Sequence, residues 1–175
     1  MNASPTDLIA PLLHDRRAPA HALVTGASRG IGLALVRELL AHPQAERITA
    51  VARQATRSDA LAALCTEAGE RLHCADADIT DDRALADLAT HLRGQHPSLD
   101  LVINAAGVLH GDGISPEKSV AQVRRAALEQ VFALNAFAPI LLAQALLPLL
   151  TGACVFASLR SGLGLVASVL MGALT

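Results

Sequence analysis

Thr25-Gly26-Ala27-Ser28-Arg29-Gly30-Ile31-Gly32 is the stretch that decides the fold. It follows a short apolar run, His21 to Thr25. It opens a helical pattern from about Gly30 to His42, which Pro43 stops. Strand, glycine turn and helix in that order begin a βαβ unit. In such a turn the glycines let backbone approach a diphosphate, and the helix N-terminus meets it with free N–H groups and partial positive charge. The spacing is G-x-x-x-G-x-G rather than the commoner G-x-G-x-x-G. Ile31, Leu35, Val36, Leu39 and Leu40 form the stripe expected to pack on a sheet.

The same alternation continues outward from the turn. Ile48 to Ala52 reads as a second strand, and Thr56 as the N-cap of a helix carrying Leu61, Leu64 and Cys65 and ending near Gly69. Leu72 to Ala75 is a third strand. Thr80 then caps a helix with Asp81 and Asp82 in its first turn, where carboxylates favour the helix dipole. Its buried face is Leu85, Leu88 and Leu92. Leu99 to Asn104 is a fourth strand, and a loop from Gly107 to Gly113 leads to one long helix, about Ser119 to Leu150, kinked at Pro139. A Thr151-Gly152 turn and a fifth strand, Ala153 to Ala157, follow. The expectation is an α/β fold: a Rossmann-type, doubly wound parallel sheet of about five strands, order 3-2-1-4-5, incomplete, with helices on both faces. Residues 1–19 read as a loosely ordered lead-in, 20–159 as the folded domain and 160–175 as an aberrant apolar tail.

Composition narrows the function classes. The 175 residues hold 14 basic and 16 acidic side chains, a net charge of −2 that offers nothing to a nucleic-acid backbone. Aromatic content is 2%, all of it Phe132, Phe137 and Phe156, too few rings for base stacking. Cys65, Cys74 and Cys154 are odd in number and widely spaced; they read as reduced, buried thiols of a cytoplasmic protein with no metal-ligand set. The N-terminus lacks the continuous apolar stretch of a signal peptide. Val131 to Leu159 is uncharged and long enough for a bilayer, yet it holds Asn135, Gln144, Pro139 and Pro148. A buried helix followed by a strand accounts for it with less strain, and no membrane partner is expected.

The octet Thr25–Gly32 resembles the cofactor fingerprint of the short-chain dehydrogenase/reductase family. Four further pieces agree in order. Asp78-Ile79-Thr80 resembles the family's adenine-contacting segment, and Asn104-Ala105-Ala106-Gly107 its N-A-A-G motif. Asn135 stands where the family keeps an Asn that anchors a proton-relay water. Phe156-Ala157-Ser158 resembles the end of the strand before the catalytic Ser. The segment Leu109 to Leu150 is similar to the bacterial C-factor-like branch. The resemblance implies an NAD(P)-binding domain and hydride transfer between nicotinamide and a small carbonyl or alcohol substrate, and a homo-oligomer is compatible with it. It also implies that Thr25, Gly26, Ser28, Arg29, Gly30, Ile31, Gly32, Arg53, Asp78, Ile79, Asn104, Ala105, Ala106 and Gly107 line the cofactor site, with Asn135 and Ser158 nearest the chemistry.

An acidic residue roughly 20 positions past the glycines would select NAD through its ribose. That position is Ala52, followed by Arg53. Arg29 and Arg53 match family positions associated with the 2′-phosphate of NADP. A charged hydrogen bond contributes roughly 1.5–3 kcal/mol, so two arginines favour NADP by about a hundredfold or more. NADP is the expected cofactor and NAD the lesser alternative. The family's Tyr-x-x-x-Lys acid–base pair should follow the fifth strand, but the chain has no Tyr and its only Lys is Lys118. Beyond Leu159 the family pattern and the charge stop together, as a truncated or frame-shifted gene would produce. The sequence thus leaves two readings: a catalytically impaired oxidoreductase, or a non-catalytic dinucleotide-binding module or partner of a complete relative.

Overall fold

The structure, a computed structural model, describes residues 20–42, 45–95, 98–108 and 119–158, the last eight of these as backbone only. Strands β1 (His21–Thr25), β2 (Arg47–Ala52), β3 (Leu72–Asp76), β4 (Leu99–Asn104) and β5 (Leu150–Ser158) make one sheet in the order β3-β2-β1-β4-β5. Every neighbouring pair is parallel. This is the doubly wound topology that the alternating pattern predicts. Helices α1 (Gly30–Ala41), α2 (Asp59–Ala68), α3 (Asp82–Gln95), α4 (Arg125–Phe132) and α5 (Ala138–Leu146) connect or flank the strands.

The inner strands β1, β2 and β4 are buried on both faces, as parallel strands of a covered sheet are. One core joins Val24, Ile48, Ala50, Leu101 and Ile103 of the sheet to Leu35, Val36 and Leu39 of α1 and Leu61 of α2. The other joins Leu23, Val51 and Val102 to Leu85, Leu88 and Leu92 of α3 and Leu142 and Leu146 of α5. Successive strand residues thus serve opposite layers. The strand order reverses between β1 and β4, and a crevice at the C-terminal ends of those two strands is where such sheets bind ligands. There Thr25 is in register with Asn104, and Asn104 with Ser158.

Several local expectations are corrected. Ile31 is 52% exposed, and Leu33 takes its place on the buried face of α1. Gly32 sets this rotation, because it is the first-turn residue pressed against the glycine turn. Thr56 does not cap α2; Ser58 does, accepting from the Leu61 N–H at 3.4 Å. Thr80 does not cap α3; the Asp81 carboxylate accepts from the N–H groups of Arg83 and Ala84 at 2.8 and 3.1 Å. Both threonines are drawn to acidic strand-end residues instead, Thr56 to Asp76 and Thr80 to Asp78.

The single long helix is also corrected. It divides into α4, a π turn over Ala133–Phe137, and α5. Pro139 has no N–H to serve the Asn135 carbonyl, and the backbone widens immediately before it, with the Ala138 N–H reaching Ala133 O. Strand β5 starts at Leu150 rather than Ala153; the Thr151-Gly152 turn lies within it, where the β4–β5 register shifts between Leu99 and Leu101. The run Arg125–Leu149 is long and apolar enough to cross a membrane, with mean hydropathy 1.8, but α5 lays Ala138, Leu142 and Leu146 against the sheet. The lead-in 1–19, the loop from 109 to 118 and the tail from 159 lie outside the described residues.

Candidate functional site

The glycine turn leaves β1 and is held from three sides. Ala27 N–H donates to Val51 O of β2 at 3.1 Å. Ala105 N–H donates to Thr25 O at 3.2 Å, and Ala106 N–H reaches Thr25 Oγ1 at 3.4 Å. Ser58 Oγ, at the start of α2, donates to Ser28 O at 3.4 Å. Thr25 Oγ1 also donates to Asn104 Oδ1, a pairing buried at the β1–β4 junction, where both residues are 1% exposed. The side chains of Thr25 and Asn104 are therefore used to join the two strand ends. They shape the crevice rather than reach into it.

Two glycines are required by space. A Cβ on Gly26 would stand 2.7 Å from Ala106 N and 2.8 Å from the Ala105 carbonyl carbon and oxygen, and its φ is +67°. A Cβ on Gly32 would collide with the Gly26 carbonyl oxygen. Gly30, with φ +57°, is different: nothing lies within 4 Å of its added Cβ. The turn is closed on its inner side and open on its outer side. Helix α1 then begins from an extended Arg29 with no side-chain cap and no acidic residue in its first turn. Its first N–H groups have no partner within the helix and carry the positive end of its dipole. A backbone cradle open to solvent, uncapped and free of carboxylates, fits a diphosphate.

The remaining predicted residues fall around this cradle. Arg29, on the turn, and Arg53, directly after β2, are both exposed. Asp78 follows β3, and its Oδ1 accepts from Thr80 N–H at 2.9 Å and Thr80 Oγ1 at 2.6 Å. The Ile79 side chain is buried in the core with Leu85 and Leu88, so its backbone is the part of it that faces outward. Asn135 reaches the β4 loop from the π turn. Its Nδ2 donates to Val108 O at 2.6 Å, and its Oδ1 accepts from Val108 N–H at 2.9 Å. A Cβ on Gly107 would meet that Oδ1 at 3.3 Å. Ser158 ends β5 opposite Asn104. No group of three or more His, Cys, Asp or Glu side chains is placed for a metal among the described residues.

Sequence reasoning missed two positions. Ser58 ties α2 to the turn. Asp76 takes both the N–H and the Oγ1 of Thr56, at 2.8 and 2.6 Å. The Thr56 hydroxyl and amide, helped by the nearby Arg57 charge, hold the Asp76 carboxyl below its ordinary value. This pins the segment after β2 that carries Arg53 and Arg57. The signal in the sequence is the acidic residue that ends β3, two positions before Asp78.

The sequence profile of the short chain dehydrogenases matches residues 20–171. The chain belongs to the short-chain dehydrogenase family. The match runs past Leu159, where the motif-by-motif resemblance stops. Among relatives, the short chain dehydrogenase gsfK of Penicillium aethiopicum is 33% identical over 136 residues, covering 75% of this chain and 51% of that protein. The carbonyl reductase of Pseudomonas aeruginosa PAO1 superposes with a TM-score of 0.69 at 33% identity, over 79% of this chain and 60% of that one. Its complex with NADP gives 0.69 at 32% identity, over 79% and 56% of the two chains. The chain thus spans about half the length of the short-chain dehydrogenase gsfK. These likenesses fit the β3-β2-β1-β4-β5 sheet and the glycine turn at its switch point.

Proposed function

We propose that residues 20–159 form a dinucleotide-binding unit of an NADP(H)-linked oxidoreductase, and that this chain holds the cofactor without effective turnover. The observation that carries the reading is the turn at Gly26–Gly32, pressed onto the β4 loop and opening into an uncapped helix. Its backbone would hold the diphosphate. Arg29 and Arg53 would take the 2′-phosphate, with Asp78 and the Ile79 backbone at the adenine. Asn104 to Gly107 would line the crevice floor. NADP(H) would supply hydride chemistry toward a small carbonyl or alcohol. The NADP complex of the Pseudomonas aeruginosa relative supports the choice of cofactor class.

Asn135 and Ser158 are the chain's own groups nearest that chemistry. Asn135 orders Val108 through both of its amide atoms, which keeps the β4 loop in place. Neither residue replaces a general acid near neutral pH, and the chain contains no Tyr. That absence favours a cofactor-binding module, or the partner of a complete relative, over an efficient enzyme. The resemblance of the sequence over 109–150 supports a place in the bacterial C-factor-like branch. The free thiols of Cys65 and Cys74 suit a reducing cytoplasm. Leu128, Phe132, Phe137 and Ile140, exposed along α4, the π turn and α5, form the face on which a second copy would sit.

The test pairs binding with turnover. NADPH fluorescence should report saturable binding at least about tenfold tighter than NADH, and Arg53→Ala should erase the difference. NADPH oxidation with small aldehydes and quinones should stay at the rate without protein. Turnover at an ordinary enzymatic rate would overturn the non-catalytic reading while leaving the cofactor assignment standing; equal affinities would overturn the NADP preference.

A further inference from the structure

Cys65 and Cys74 have no part in the proposed site, yet the fold brings them together. Cys65 lies in the last turn of α2, and Cys74 is the middle residue of β3, the edge strand. The chain between them reverses at Gly69, which has φ +56°, and through a short 3-10 turn over Gly69–Arg71. Their Sγ atoms stand 3.2 Å apart. Cys65 Sγ also approaches Leu72 O at 3.8 Å, so its side chain is already turned toward β3. Both residues are free thiols and half-buried at the edge of the core under α1 and α2. A disulfide bond is about 2.05 Å long, so the sulfurs need to close by only about 1.2 Å.

We propose that Cys65 and Cys74 are a dithiol site that a hydroperoxide converts to a reversible intramolecular disulfide. The inference stands on this thiol pair and is independent of the cofactor reading. Cys65 reacts first. Its sulfur attacks one peroxide oxygen, the O–O bond breaks, and the other oxygen leaves as water, giving a sulfenic acid. The Cys74 sulfur then attacks the Cys65 sulfur. The S–O bond breaks, and the hydroxyl leaves with the Cys74 proton as a second water. Two thiols and one hydrogen peroxide thus become one disulfide and two waters. A small dithiol reverses the step by exchange.

The order follows from the surroundings of Cys74. Burial first, then the hydrogen bond and charge of Cys65 and the charge of Asp76, push its thiol up to about 12. With its thiol raised in this way Cys74 is the slower nucleophile, and Cys65, whose Sγ is already turned toward β3, is the attacking group. Cys154 is excluded as a competitor by topology. β3 and β5 are opposite edges of the five-stranded sheet. Four strand spacings of about 4.8 Å separate them, far beyond the roughly 7 Å limit between the Cα atoms of a disulfide.

The experiment uses the full chain, reduced, desalted and exposed to hydrogen peroxide. It is then quenched with a maleimide under denaturing conditions and mapped by mass spectrometry. The expected result is joint loss of two of the three thiols and a peptide pair linked through Cys65 and Cys74, restored by dithiothreitol. Cys154→Ser should behave the same way. With Cys154→Ser as background, Cys74→Ser should accumulate a dimedone-reactive sulfenic acid at Cys65, and Cys65→Ser should be labelled at Cys74 far more slowly. A link to Cys154, three thiols oxidised independently, or sulfinic acid at Cys65 without any Cys65–Cys74 link in the unmutated chain would overturn the proposal.

Discussion

Replacing three glycines by alanine, one at a time, tests how the turn is built. At Gly26 an added Cβ meets three backbone atoms of Ala105 and Ala106 at 2.7–2.8 Å, and the residue sits at φ +67°. At Gly30 the φ is +57°, but nothing lies within 4 Å. At Gly94, inside α3, there is open space and no positive φ. An alanine forced into the left-handed region costs roughly 1–2 kcal/mol. Overpacking against unyielding backbone adds roughly 1–3 kcal/mol. Alanine within a helix is better than glycine by roughly 0.5–1 kcal/mol. Gly26→Ala should therefore lose about 2–5 kcal/mol, Gly30→Ala about 1–2, and Gly94→Ala should gain a little. For a chain of this size each kcal/mol moves the midpoint by about 2–4 °C. Thermal unfolding followed by circular dichroism should show Gly94→Ala up by about 2 °C, Gly30→Ala down by about 4 °C and Gly26→Ala down by about 10 °C. A Gly26→Ala protein no less stable than Gly30→Ala would refute the close contact between the turn and the β4 loop.

Asn135→Ala removes two hydrogen bonds to Val108 and should cost about 2 kcal/mol, or about 6 °C in midpoint. Asn135→Asp keeps the acceptor but turns a carboxylate oxygen toward the Val108 carbonyl; it should melt lower than wild type at neutral pH, with the deficit narrowing in acid as the carboxyl regains a proton to donate. Asp76 is held below its ordinary value of 3.8 by Thr56, so its contribution is present above that pH and is lost as pH falls through the lowered value. The difference in melting temperature between wild type and Asp76→Asn should therefore be constant from pH 7 to about 5 and shrink below 3.8; a difference that does not change in acid would contradict the Thr56–Asp76 pairing.

Much of the fold was legible because local pattern and global topology agree. Five short apolar runs separated by helical stripes lead directly to the parallel sheet, and the glycine turn marks its switch point. The misreadings share one cause: a side chain whose best partner is distant in sequence. Thr56 and Thr80 look like helix caps until Asp76 and Asp78 are placed beside them. The mutual hydrogen bond of Thr25 and Asn104, 79 positions apart, is equally hidden from a local reading that sees each only as a polar residue at a strand end. Ile31 fits the helical period, yet the close approach of Gly32 to Gly26 rotates it outward. The π turn needs two facts together, a proline without an N–H and an Asn side chain engaged with Val108. The cysteine pair is invisible to spacing motifs because a helix-to-strand reversal, rather than a C-x-x-C, brings its sulfurs into contact.

Isothermal titration of the folded chain with NADPH addresses the dinucleotide cradle most directly. A single saturable site is predicted, weakened at least about tenfold when NADH replaces NADPH. That site should be lost in Gly32→Ala, whose Cβ collides with the Gly26 carbonyl oxygen. A folded, monodisperse protein that takes up neither NADPH, NADH nor their oxidised forms would contradict it.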